Sequence, residues 1–220
     1  MARFDVLGPA HKGLRSGLSN LQFKMAQSDL HDVEHMKSVL ADLEWMWKIL
    51  DAHADGEDKF LYPLLEKTNK KMFDTLEKEH LDLEKTQKDL LKELNSVVGL
   101  KEDNKREEQG FNFIKNYNDY VARYFTHLQN EEFQAIPELW KSYEDSKLMG
   151  ALSKFSTVTP PPVAGKFAEM MFPAINFKER VGFMMNLKQN APEPLFKSFL
   201  GTAERVLEKE SYTKLEKAVK

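Results

Sequence analysis

The stretch His53-Ala-Asp-Gly-Glu57-Asp-Lys-Phe-Leu-Tyr-Pro63, HADGEDKFLYP, continues a helical apolar stripe but sets a histidine and a glutamate where leucines would complete it. Upstream the stripe runs Val33, Met36, Leu40, Leu43, Trp47 and Leu50. His53, Glu57, Phe60 and Leu64 then follow at the same steps of three and four. Residues four apart share a helix face one turn apart, so His53 and Glu57 aim at one point in the interior. Burying an unpaired carboxylate costs several kcal/mol, so something cationic is expected where they point.

The same pattern recurs on both sides of this stretch. A segment over about 9–27 carries His11, Leu14, Leu18, Leu21 and Met25. Another over about 70–98 carries Phe73, Leu76, His80, Leu83, Gln87, Leu90, Leu94 and Val97, and breaks at Gly99. A fourth over about 110–147 carries Phe113, Tyr117, Tyr120, Tyr124, His127, Glu131 and Ala135, with Pro137 kinking or interrupting it because proline lacks the N–H a helix interior needs. The charge run Glu102 to Glu108 between them reads as solvated loop. No apolar/polar alternation is convincing as strand, so the fold class is all-α. Four stripes that must bury one another predict an up-down-up-down four-helix bundle.

Ser156 to Gly165 contains Pro160, Pro161 and Pro162 and reads as a stiff, extended connection. It divides the chain into a bundle over 1–150 and a second part over 151–220, a proline-rich linker followed by a C-terminal helical extension. That extension is expected to hold two or three shorter helices, with Met184, Leu195, Phe199 and Leu207 on their apolar faces. It is expected to pack on the bundle, where it could cover the substrate entrance, and to offer a surface to a protein partner. Met170, Met171, Met184 and Met185 are assigned to core filling.

Composition narrows the chemistry. The 220 residues carry Lys+Arg 32 against Asp+Glu 35, a net charge of −3 with the signs interspersed, which argues against nucleic acid as a partner. There is no cysteine, so disulfides, zinc-thiolate sites and iron-sulfur clusters are excluded and any metal must use nitrogen and oxygen ligands. No uncharged run of about 18 residues suggests a membrane span, and MARFDVLGPAHKGLR does not read as a secretion leader, so a cytoplasmic location is expected.

The interior ionisable residues are His11, His53, Glu57, His80, His127 and Glu131, at least one from each helix. Two carboxylates among four imidazoles make sense around a pair of divalent or trivalent ions. Donors without sulfur suit iron or manganese, with zinc a weaker alternative. His31 and His35 also stand four apart but lie about 33 and 27 Å before His53 along the helix, so they are assigned an ordinary role at a helix start. Tyr117, Tyr120 and Tyr124 read as aromatic core, the alternative being that Tyr120 or Tyr124 supports the metal ligands. Leu14, Leu50, Phe60, Leu83 and Tyr124 are expected to keep the site dry.

HADGEDKFLYPLLE, His53 to Glu66, resembles the signature of hemerythrin-like (HHE cation-binding) domains, in which His is followed four residues later by Glu and then by an aromatic-Pro-Leu-Leu sequence. HKGLR at His11, HLDLE at His80 and HLQNEE at His127 are similar to that family's other ligand-bearing segments. The resemblance covers about 8–147. It implies a non-haem, oxo- or hydroxo-bridged di-iron centre held by His11, His53, Glu57, His80, His127 and Glu131, with Glu57 and Glu131 bridging. The family's oxygen carriers have a further histidine where this chain has Glu84. Unless Glu84 serves as a seventh ligand, four histidines leave an exchangeable position on both irons. The resemblance therefore implies binding, sensing or reaction with O₂, NO or peroxide. The alternative is an iron-responsive regulatory or iron-handling module without turnover.

Overall fold

A computed structural model describes residues 3–220. Helix α1 spans Gly8–Ala26, α2 Val33–Gly56, α3 Tyr62–Thr68, α4 Lys70–Gly99 and α5 Asp103–Asn130. Helices α1 and α2 are joined by residues 27–32, α3 and α4 by Asn69 alone, and α4 and α5 by residues 100–102, so successive long helices run antiparallel. Two of these turns are closed by side-chain caps: Asp32 accepts from the His35 N–H and Asn69 from the Met72 N–H. α1 packs on α2 and α5, and α4 on the same two, which closes a ring of four helices. No strand occurs among the described residues, and no helix among them is long and apolar enough to cross a membrane.

Two segments expected to be loop or linker are helical in part. The charge run Glu102 to Glu108 is not loop; α5 begins at Asp103. Lys105, Arg106, Glu107 and Glu108 are good helix formers, and buried Arg106 binds the Asp103 carboxylate and the Leu100 and His31 carbonyls, tying the start of α5 to two neighbouring turns. Nor is Ser156 to Gly165 an extended connection. Ser153–Thr157 is a 3₁₀ turn, and helix α8, Pro161–Ala174, starts within the proline run. Proline suits a first helical turn, where its missing N–H would have had no intrahelical partner.

Helices α6 (Ile136–Ser142) and α7 (Asp145–Leu152) finish the first half of the chain. Beyond α8 lie α9 (Phe177–Asn190), α10 (Glu193–Val206) and α11 (Lys209–Val219), one helix more than the expected upper number. Ala168, Phe172, Met184, Ala203, Leu215 and Val219 form a small core of their own; Leu195 remains exposed. α8 lies along α1 at Gly13 and Gly17. A side chain at Gly13 would meet the Met171 backbone at 3.1 Å, and one at Gly17 would meet Met170 Sδ at 2.5 Å.

The bundle interior is not one hydrocarbon core. One cluster includes Leu14, Leu50, Leu83, Tyr120 and Tyr124, and a separate one includes Leu7, Leu61, Tyr62, Leu76 and Ile136. The histidines and glutamates lie between the two.

Candidate metal centre

α2 and α5 reach this layer in the same way. His53 and His127 sit in the last turns of these helices, and Glu57 and Glu131 each open a π turn, Glu57–Leu61 and Glu131–Ala135. Each turn precedes a proline, Pro63 or Pro137, that has no N–H to donate and whose ring displaces the carbonyl four residues back. The ladder widens ahead of it: the Tyr62 N–H bonds the Glu57 carbonyl and the Ile136 N–H bonds that of Glu131, each five residues back. This interrupts the long α5 segment before Pro137, as expected. It also sets Tyr62 one turn beyond Glu57, over the site.

All six predicted residues meet in the layer. His53 Nε2 lies 3.2 Å from Glu57 Oε1, His11 Nε2 3.7 Å from the same oxygen, and His80 Nε2 3.6 Å from Glu57 Oε2. His127 Nε2 and His11 Nε2 lie 3.6 and 3.5 Å from Glu131 Oε2. The donor atoms form two groups, Glu57–His80–His127–Glu131 and His11–His53–Glu57, each within 4.8 Å and joined through Glu57.

Whether these residues suit a cation is tested by their unmet bonding needs. His11 Nε2, His53 Nε2, both Glu57 oxygens and Glu131 Oε2 are buried without a hydrogen-bond partner among the described residues. Native interiors rarely tolerate so many orphaned polar atoms in one place. Lone pairs converging on a common centre are what cation coordination requires, so the residues fit bound metal.

Behind the inward-facing nitrogens stand carboxylates. His11 Nδ1 bonds Glu132 at 2.9 Å, and Arg15 grips the same carboxylate at 2.7 and 3.0 Å. His80 Nδ1 bonds Asp58 at 2.9 Å, and His127 Nδ1 bonds Glu79 at 2.8 Å, with Asn130 donating to Glu79's other oxygen. Such partners fix which ring nitrogen faces inward and make it a stronger donor. Without a cation, burial lowers the His11 pKa, but Glu132, Glu57 and Glu131 outweigh it and raise it to about 9. His80 likewise is lowered by burial and raised further by Asp58, Glu57 and Glu131, again to about 9. Burial pushes the Glu57 carboxyl up, yet His53, His11 and His80 hold it well below the usual range. Burial and the Glu57 charge push Glu131 up.

Residues 4–139, well over half of the chain, match the hemerythrin HHE cation-binding domain. The chain belongs to the hemerythrin HHE cation-binding family. No curated protein and no solved structure matches it. The domain is thus a cation-binding one, and the buried His/Glu cluster is its candidate metal site.

Other candidates of this HHE domain fall outside the cluster. Glu84 is exposed on α4 and ion-paired with Lys88. His31 is exposed beside Glu107, and His35 bonds Ser28 at the start of α2. Tyr117 donates to the Leu18 carbonyl, and Tyr120 accepts from Gln87 and packs on Trp47, so both belong to the core. The Tyr124 ring lies 5.9 Å from that of His127. Leu14, Leu50, Leu83 and Tyr124 are buried, whereas Phe60 is half-buried at the rim. The tyrosine missed in the sequence is Tyr62, which donates to Glu131 Oε1 at 2.6 Å and lies 3.2 Å from His80 Nε2. His, Glu and Pro recur with identical spacing at 53, 57, 63 and at 127, 131, 137, but this places Ile136 where Tyr62 stands, so the repeat marks the two turns and not the tyrosine.

Proposed function

We propose that this chain is a non-haem di-iron protein that binds and reacts with O₂, NO or peroxide, through His11, His53, Glu57, His80, His127 and Glu131. The observation that carries the reading is the sharing of Glu57 by two groups of converging donor atoms, five of them buried without a hydrogen-bond partner among the described residues. Nitrogen and oxygen donors without sulfur favour iron, with manganese or zinc as weaker candidates. Paired metals between carboxylates in a helix bundle are a recurrent use of such a core. Because Glu84 points away, six protein side chains serve both ions and leave positions free on each, which favours reactivity over reversible carriage.

An iron pair held there would supply electrons and open coordination positions to a small ligand. The chain's own residues do the rest. Glu132, Asp58 and Glu79 hold three imidazoles in register from behind. Tyr62 steadies Glu131 and keeps a hydroxyl proton within reach of the site. Leu14, Leu50, Leu83 and Tyr124 exclude water on one side, and Leu61, Leu76 and Ile136 on the other.

Reconstitution with ferrous iron tests the reading. The expected result is about two irons per chain, with ligand-to-iron charge-transfer absorption that grows on mixing with O₂ or peroxide. His53→Ala and Glu131→Ala should lose the absorption, whereas His31→Ala and His35→Ala should keep it. One iron or none, or a full load in His53→Ala, would overturn the assignment.

A second reading, an iron-responsive module, draws support from the seating of α8 on the ligand-bearing α1 and from the Lys12–Glu179 pair at 2.5 Å. It predicts that iron changes protease cleavage near Thr159 without turnover of the small ligand.

A further inference from the structure

Three of the four histidines in the cluster are backed at Nδ1 by a carboxylate; no such bond is made to His53 among the described residues. What lies against it is an aromatic ring. Phe155, half-buried in the 3₁₀ turn between α7 and α8, presents its ring to His53 at 6.4 Å between centroids and 62° between planes. Phe60 flanks it at 6.3 Å.

Gly56 makes room for this ring. A Cβ there would stand 2.4 Å from Phe155 Cδ2 and 2.7 Å from Cγ, closer than atoms can approach, so any other residue at 56 displaces the ring. The backbone beneath it is secured, because the Phe155 carbonyl accepts from the Val158 and Thr159 N–H groups at 3.1 Å and from the Thr159 hydroxyl at 2.9 Å. The turn is therefore anchored, while the ring itself is held by the His53 and Phe60 rings and by packing on the edge of the apolar cluster around Leu61. Residue 155 lies outside the 4–139 span that matches the family.

We propose that Phe155 is the gate of the metal centre, a specificity-determining residue that closes the His53 side against anything larger than a diatomic molecule or hydrogen peroxide. The size limit rests on the di-iron reading above; the covering of His53 does not. One edge contact and one tilted contact between aromatic rings are enough to favour a closed ring about tenfold over an open one.

The test begins with metal-free protein and diethyl pyrocarbonate, which acylates accessible imidazoles, followed residue by residue by mass spectrometry. In the wild type, exposed His31 should react fast and His53 slowly. Phe155→Ala should speed His53 labelling about tenfold, and Gly56→Ala, which displaces the ring without deleting it, should do the same. Phe155→Leu, which restores much of the apolar bulk, should fall between. His31 and His127 should keep their wild-type rates in every variant. Unchanged His53 labelling in both Ala variants would overturn the gate. So would equal acceleration at His127, because that reports general loosening. A second arm uses iron-loaded protein: Phe155→Ala should lose iron faster to a bulky aromatic chelator while azide binds as in the wild type. Equal stripping rates would refute the size limit. Failure to load iron at all would refute the di-iron reading and leave the labelling result standing.

Discussion

Glu132→Ala removes the carboxylate behind His11 without touching any of the six converging side chains. In the wild type His11 is fully buried, its Nδ1 lies 2.9 Å from Glu132, and Arg15 holds that carboxylate with two bonds. Loss of such a partner typically weakens metal binding 10- to 100-fold, about 1.4–2.7 kcal/mol. Proton competition acts in the opposite sense. Glu132 is the strongest of the influences that raise metal-free His11 to about 9, against the lowering effect of burial. Each pH unit below that value adds about 1.4 kcal/mol to the proton's side of the competition. Removing Glu132 lowers the His11 pKa, so the variant meets less proton competition at neutral pH. The affinity deficit should therefore be largest near pH 9 and shrink towards pH 7. Competition titrations with a chromophoric chelator at several pH values would measure it, with NMR titration of the His11 imidazole in metal-free protein reporting the fall in pKa. Arg15→Ala, which leaves the Glu132–His11 bond in place, should lose much less affinity. A deficit that is independent of pH, or that grows as pH falls, would refute the reasoning.

Three further outcomes follow from the same geometry. His11 and His80 are raised from 6.5 to about 9 in the metal-free fold, so their stabilising contribution is complete below about pH 6.5 and disappears as pH rises through 9. Metal-free melting temperature should fall over that range while metal affinity rises, and a flat melting profile would contradict this. Tyr62→Phe leaves Glu131 Oε1 without its donor and should lower stability of the metal-free protein by about 1–3 kcal/mol in denaturant titration, with an altered absorption spectrum once iron is bound. Glu84→Ala should leave iron content and spectrum unchanged, because Glu84 is exposed and paired with Lys88; loss of iron would make it a seventh ligand after all.

Much of the bundle was legible in the pattern of residues. The expected segment 9–27 became Gly8–Ala26, and 70–98 became Lys70–Gly99, because continuous apolar periodicity leaves little choice of boundary between a proline or capping residue at one end and Gly99 at the other. The errors fell where periodicity carries no information. Glu102 to Glu108 is charged, yet helical, because buried Arg106 finds carbonyl acceptors in two other turns. Pro160 to Pro162 looks extended in isolation, yet begins α8 because α1 presents Gly13 and Gly17 for a helix to lie against.

The sequence by itself determined the composition of the interior layer. A helix maps spacings of three and four onto one face, so His53 with Glu57 and His127 with Glu131 had to point inward together, and the absence of cysteine restricted their chemistry to nitrogen and oxygen donors. Only the tertiary structure decided what surrounds that layer. Glu132 reaches His11 across 121 residues of chain, Glu79 reaches His127 across 48, and Phe155 comes to rest on Gly56 from a turn outside the bundle helices. Such contacts join separate elements at no fixed interval, so no repeat in the chain announces them. HADGEDKFLYP belongs to both accounts: its His and Glu were readable from their period, whereas its Gly and Tyr acquired their roles from Phe155 and Glu131, residues brought to them by folding.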